Sequence, residues 1–168
     1  MVGLVILIQP QVTNLVDEEM NKHQLRKLIA ETLKEVDLYS HEATELLMLT
    51  AAVESQGGEY IEQIRGPANG IFQMEPATEL DIWKNYLAYK PHLKDKAEKF
   101  LLGTIEDEEE VWNLKYAIIM ARLHYLRVPK PLPRSILGMA EYWKSYYNTY
   151  EGKGSVDKAI EAYETYAL

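Results

Sequence analysis

The sequence predicts a mainly α fold of six or seven helices, with at most a short hairpin around residues 59–73. Three observations carry that prediction. Apolar residues recur at spacings of three and four through most of the chain. Ser40, Thr78, Thr104, Ser135 and Ser155 each stand where a helical run begins, as capping residues do. The composition, 47% hydrophobic and 26% charged over 168 residues, is that of a globular protein long enough to bury one core without staples. One domain is therefore expected over 1–168, with an apolar arm at 1–13 and the informative core at about 40–160.

Taken in order, the opening MVGLVILIQPQV holds an apolar run from Val2 to Ile8. It is too short to span a membrane. It also lacks the basic flank and small-residue cleavage pattern of a signal peptide. A buried β-branched segment and an arm pairing with a neighbouring subunit are the two readings, the first preferred. From about Asn14 to Val36, Leu25, Leu28, Ile29, Leu33 and Val36 form a helical stripe, with Asn14 and Asp17 as cap. A second helix runs from about His41 to Ser55 behind Ser40.

Residues 56–77 form a loop in which Glu59 to Ile64 alternate weakly, as a short strand or hairpin edge would. Thr78, with Asp81 three on, caps a helix carrying Leu80, Trp83, Tyr86 and Leu87 that Pro91 ends. Another helix spans about His92 to Leu102, with Gly103 as its stop. Thr104 opens the longest helix, to about Arg127, its first turns filled by Glu106 to Glu110 facing the positive end of the helix dipole. After VPKPLPRS, Ser135 caps a helix with Ile136, Met139, Ala140, Trp143, Tyr146 and Tyr147 on one side. The loop NTYEGKG leads to a last helix from Ser155.

Composition excludes several functions. There is no cysteine, hence no disulfide framework or thiolate metal site. His23, His41, His92 and His124 show no ligand spacing, so neither a metal nor another cofactor is expected. The net charge of -8 argues against nucleic-acid binding and gives no long-range pull toward an anionic surface.

The chemistry is expected between Ala51 and Thr78, where the second helix stops at Gly57-Gly58 and a glycine-spaced loop holds Gln73. Glu54 lies seven after Leu47 and four after Thr50, on or beside the buried stripe. Burial and the negative end of the helix dipole both raise the pKa of a carboxyl there, toward that of a general acid at neutral pH.

Glu54-Ser55, followed by Ala68-x-Gly70-Ile71-Phe72-Gln73-Met74-x-Pro76-x-Thr78, resembles the motif of soluble lytic transglycosylases, the goose-lysozyme-like branch of the lysozyme superfamily. Tyr147-Asn148 is similar to the centre of that family's Ala-Tyr-Asn-Ala-Gly sequence, although Tyr146, Thr149 and Tyr150 depart from its flanks. Tyr125-Leu126 matches a further pair, with Arg122 where relatives place a glycine. The resemblance covers about residues 43–160.

The resemblance implies a lysozyme-like fold and cleavage of peptidoglycan glycan strands at the MurNAc–GlcNAc β-1,4 bond. Glu54 would be the single catalytic acid/base. Ser55 would contact a sugar N-acetyl group, Gly70 and Gln73 would line the sugar groove, and Tyr147, beside Asn148, would hydrogen-bond Glu54. Glu59, Glu62 and Glu75 are the nearest candidates for a second carboxylate, whose presence opposite Glu54 favours simple hydrolysis. Tyr60 and Tyr150 are candidates for stacking on sugar rings.

With no export signal read in the sequence, the expected setting is a phage protein. It is made in the host cytoplasm, carried in the virion among other virion proteins, and acts at the bacterial cell wall. The alternatives are a virion structural or adaptor protein that keeps the shell without cutting, a muramidase-type endolysin, and a host wall-remodelling enzyme.

Overall fold

The structure, a computed structural model, describes residues 20–63, 65–105, 112–148 and 153–168. Seven α-helices lie among them: α1 (Lys22–Lys34), α2 (His41–Ser55), α3 (Pro76–Asn85), α4 (Pro91–Glu98), α5 (Leu114–Leu126), α6 (Ile136–Trp143) and α7 (Val156–Tyr166). A 3-10 turn, Leu87–Tyr89, joins α3 to α4, and α6 runs on into a π-helical turn, Lys144–Asn148. The chain is mainly helical. Extended pairing among the described residues is limited to isolated bridges between Glu62 and Asn69 and between Asn69 and Met74.

α2 organises the rest. Ten of its fifteen residues are buried, from every side of the helix, so it runs through the middle of the domain rather than along its surface. It packs on α1, α5, α6 and α7. Ser40 caps it, its side chain accepting from Ala43 N at 3.0 Å. It ends where Gln56, Gly57 and Gly58 take positive φ, a run that two glycines make inexpensive. Ser135 and Ser155 cap α6 and α7 in the same way, accepting from Gly138 N and Lys158 N.

Four boundaries differ from the sequence expectation, one of them the end of α4, which closes at Glu98 rather than at about Leu102. α1 starts at Lys22, because Asn21 takes an extended conformation and its side chain accepts from His23 N and Gln24 N; Asn14 and Asp17 lie outside the described residues. α3 starts at Pro76 with Glu75 in the cap position, two residues before the expected Thr78 cap. Proline suits the first helical position, where an N–H is orphaned anyway. Of the expected stripe, Trp83, Tyr86 and Leu87 pack on the core, whereas Leu80 is exposed and Glu79 and Ile82 are buried in addition.

The long helix expected from Thr104 does not start at Thr104 or Ile105; α5 begins after Asn113, whose backbone lies outside the helical region and whose side chain caps it through Tyr116 N. The acidic run Glu106 to Glu110, the amino-terminal arm and Tyr150 lie outside the described residues. Among the described residues no helix is long and apolar enough to cross a membrane.

Candidate active site

A polar cleft of about 340 Å³ opens at the carboxyl end of α2, lined by Glu54, Gln73, Met74, Glu75, Thr78, His124, Tyr147 and Asn148. These come from four places: the end of α2, the loop and first turn of α3, the end of α5, and the π-turn after α6. Seven of the eight, all but His124, lie in the motif stretches singled out from the sequence and bring distant parts of the chain to one wall.

Glu54 stands one residue before the end of α2, mostly buried yet open to the cleft. Burial pushes its carboxyl up to about 7. The opposing influence is a hydrogen bond from Trp143 Nε1 to Glu54 Oε1 at 2.8 Å. Trp143 is the last residue of α6 and is 1% exposed, so the donor is fixed by packing. Indole has no lone pair to offer and cannot take the proton, so this contact orients the acid without competing for its hydrogen.

Tyr147, expected to be that donor, is not. Its phenol donates to the Phe72 carbonyl at 2.8 Å, tying the π-turn to the loop across the cleft. The physical reason is helical register. Trp143 lies four residues before Tyr147, one turn down the same side, and the widened π-turn carries Tyr147 past the acid. Asn148 follows on the cleft wall, its Oδ1 accepting from Lys144 Nζ at 2.8 Å.

The close fit continues at Gly154, where a Cβ would sit 2.3 Å from Trp143 Cη2 and 3.1 Å from Asn148 Nδ2. Beneath Tyr147, the fully buried Tyr125 packs at 5.3 Å between ring centroids. The Thr50 hydroxyl donates to Leu46 O at 2.7 Å, so the phenol of Tyr125 donates to Thr50 at 2.8 Å. Arg122 points Nε at the Leu38 carbonyl at 3.4 Å.

Comparison with family models, with curated proteins and with solved structures finds no match for this chain. The site is therefore read from its own geometry.

In the glycine-spaced loop, Gly70 has φ 71° and Gln73 has φ 46°, a conformation that a non-glycine residue pays for in strain. The Gln73 backbone N–H and Nε2 both donate to the Gly70 carbonyl, at 3.0 and 2.8 Å. With its amide nitrogen so held, the side chain leaves Oε1 as the acceptor on the cleft wall. Gly70 itself is buried under the loop.

Ser55 has a different place from the one the resemblance implies. It is fully buried, its hydroxyl lies 2.6 Å from Ile71 O, and it accepts from Gly58 N at 3.0 Å. Ser55 fastens the loop to the end of α2 below the cleft, and the sugar contact expected of it gives way to that structural role. Phe72 is core, whereas Met74 is both buried and part of the cleft lining.

Of the three acidic neighbours, Glu75 lines the cleft and is exposed, while Glu59 and Glu62 are exposed away from the lining. Tyr60 is likewise outside the lining. Sequence reasoning placed Trp143 and His124 in the background as core and spare histidine. The i, i+4 spacing of Trp143 to Tyr147 was the available signal for the first. For His124 the adjacency to Tyr125-Leu126 was the only one.

Proposed function

We propose that the protein is a murein-cleaving glycosidase with a lysozyme-like fold, a lytic transglycosylase that uses Glu54 first as acid and then as base. The observation that carries this reading is a carboxyl raised to about 7, fixed by an indole N–H and open to a polar cleft. In the first step Glu54 gives its proton to the glycosidic oxygen as the C1–O bond of the MurNAc–GlcNAc linkage breaks. The positive charge growing on the ring is met by the substrate's own N-acetyl oxygen. In the second step the Glu54 carboxylate takes the proton of the sugar's own C6 hydroxyl as that oxygen bonds to C1, giving a 1,6-anhydro end and restoring the acid.

Gln73, Tyr147 and Asn148 flank the acid and suit the amide and hydroxyl groups of a glycan strand. The net charge of -8 gives no electrostatic steering toward an anionic wall, which favours delivery as a part of a phage virion over free diffusion.

A second reading has its own support, since Glu75 lines the same cleft. A carboxylate there that activates water turns the reaction into hydrolysis with a reducing-end product. Purified murein decides among these. Wild type is expected to clear the suspension and release fragments one water lighter than hydrolysis gives. E54Q is expected to be inactive. Reducing-end products assign the reaction to hydrolysis, and equal inactivity of both proteins assigns the protein to the non-cutting virion shell.

A further inference from the structure

His124 stands near the end of α5 and lines the cleft with both ring nitrogens engaged. Arg127 Nη2 is 2.6 Å from Nδ1, and Nε2 is 3.0 Å from the Tyr146 carbonyl oxygen. A guanidinium can only donate, so Nδ1 accepts and carries no proton. A carbonyl can only accept, so Nε2 carries the proton and donates it. The two contacts together admit one state of the ring, the neutral Nε2–H tautomer.

Arg127 is itself held. Its Nη1 lies 2.6 Å from Asp81 Oδ2 on α3, and Asp81 also accepts from Asn85 Nδ2 at 2.7 Å. Burial first, and the Arg127 charge second, draw His124 down to about 4, in keeping with an imidazole that stays uncharged. A π-helical turn breaks the regular hydrogen-bond ladder, so its carbonyls need partners from elsewhere. His124 provides one at Tyr146. The same ring meets Tyr147 edge-on at 4.8 Å between centroids. One imidazole therefore touches two successive residues of the turn, Tyr146 and Tyr147, and Tyr147 and the next residue, Asn148, face the cleft.

We propose that His124, locked as the neutral Nε2–H tautomer by Arg127 and Asp81, is a positioning residue that holds the π-turn, and with it Tyr147 and Asn148, against the glycan cleft. It neither gives nor takes a proton in the reaction, because both nitrogens are already committed within the protein. A chain of contacts starting on α3 thus sets the far wall of the cleft. The inference rests on the glycosidase reading for its kinetic consequence, although not for the lock itself.

The test uses the full chain labelled with 15N-histidine. At neutral pH the wild-type spectrum is expected to show a pyridine-like Nδ1 and a pyrrole-like Nε2 for His124, and R127M, which frees Nδ1 while Tyr146 still accepts from Nε2–H, is expected to let Nδ1 take up a proton at a higher pH than in wild type. On soluble murein glycans, H124F, which keeps the aromatic edge and loses both hydrogen bonds, is expected to raise KM about tenfold, as misplaced binding groups do. The basic limb of the pH profile set by Glu54 should stay where it is. H124Q, with an amide for the Tyr146 carbonyl and an oxygen for Arg127, is expected to recover most of the loss.

A charged ring or an Nδ1–H tautomer in wild type overturns the proposal, as does H124F with wild-type KM. Should wild type leave murein intact, the glycosidase reading falls alone. The 15N spectrum then decides the lock, and the Tyr147 ring resonances, displaced in H124F and restored in H124Q, decide its hold on the turn.

Discussion

In an E54Q protein the carboxyl at the end of α2 becomes an amide of the same shape, which still accepts from Trp143 but no longer titrates. The consequence for stability can be worked from the structure. An ordinary glutamate titrates at 4.5 and the folded Glu54 at about 7. Below pH 4.5 folded and unfolded chains both hold the proton, and the buried neutral acid carries no charge penalty. Between 4.5 and 7 the unfolded chain releases the proton while the folded chain keeps it, so wild-type stability falls as pH rises.

Above 7 both states are ionised and the loss persists. Its size is that pKa difference at about 1.4 kcal/mol per pH unit, or roughly 3 kcal/mol. Denaturant unfolding of the two proteins should therefore give nearly equal stabilities at pH 4, with E54Q ahead by about 3 kcal/mol at pH 8. His124 and the other titrating groups are common to both and cancel in the difference. Parallel stability curves across this range would refute the burial argument for Glu54, and with it the case for a neutral acid in the cleft.

Other perturbations probe the surroundings of the acid. W143F removes the N–H that favours the carboxylate, so the basic limb of murein clearing should move upward by about one pH unit, read from initial rates across pH. S55A removes the buried hydroxyl that donates to Ile71 O and accepts from Gly58 N, leaving Gly58 N only its backbone bond to Ser55 O at 3.2 Å. It should cost about 1–3 kcal/mol in urea unfolding while leaving KM for glycans unchanged. G154A drives a methyl into the Trp143 ring and should destabilise by about 1–3 kcal/mol, with a shift in tryptophan fluorescence as the indole moves off Glu54.

Local signals were legible in the sequence wherever a cap and a periodic run agreed. Ser40, Ser135 and Ser155 each mark a helix start that the structure keeps, and the double glycine marks the end of α2. Glu54 at that end was legible because a helix period fixes which residues face inward. The Thr78 cap misled because Pro76 offers a competing start two residues earlier, and the choice between them rests on how α3 docks.

Asn113 was hidden inside an unbroken apolar period, where a polar side chain reads as surface until its cap to Tyr116 N is seen. The donor to Glu54 was out of reach for a different reason. Trp143 and Tyr147 share a helix side, and only the π-helical widening of Lys144–Asn148 decides which of them meets the acid. Arg127 follows His124 at a helical spacing of three, but the tautomer also depends on the Tyr146 carbonyl and on Asp81 of α3, which no spacing rule brings to the ring.

The indole that orients Glu54 stands 89 positions further along the chain. During synthesis the ribosome thus releases the glutamate long before its partner, and a fragment lacking α6 lacks both that donor and the helix packed on α2. Glu54 therefore gains its fixed orientation only once the carboxyl-terminal helices have closed over α2, and under the proposed reading a chain cut short of α6 is expected to be inactive.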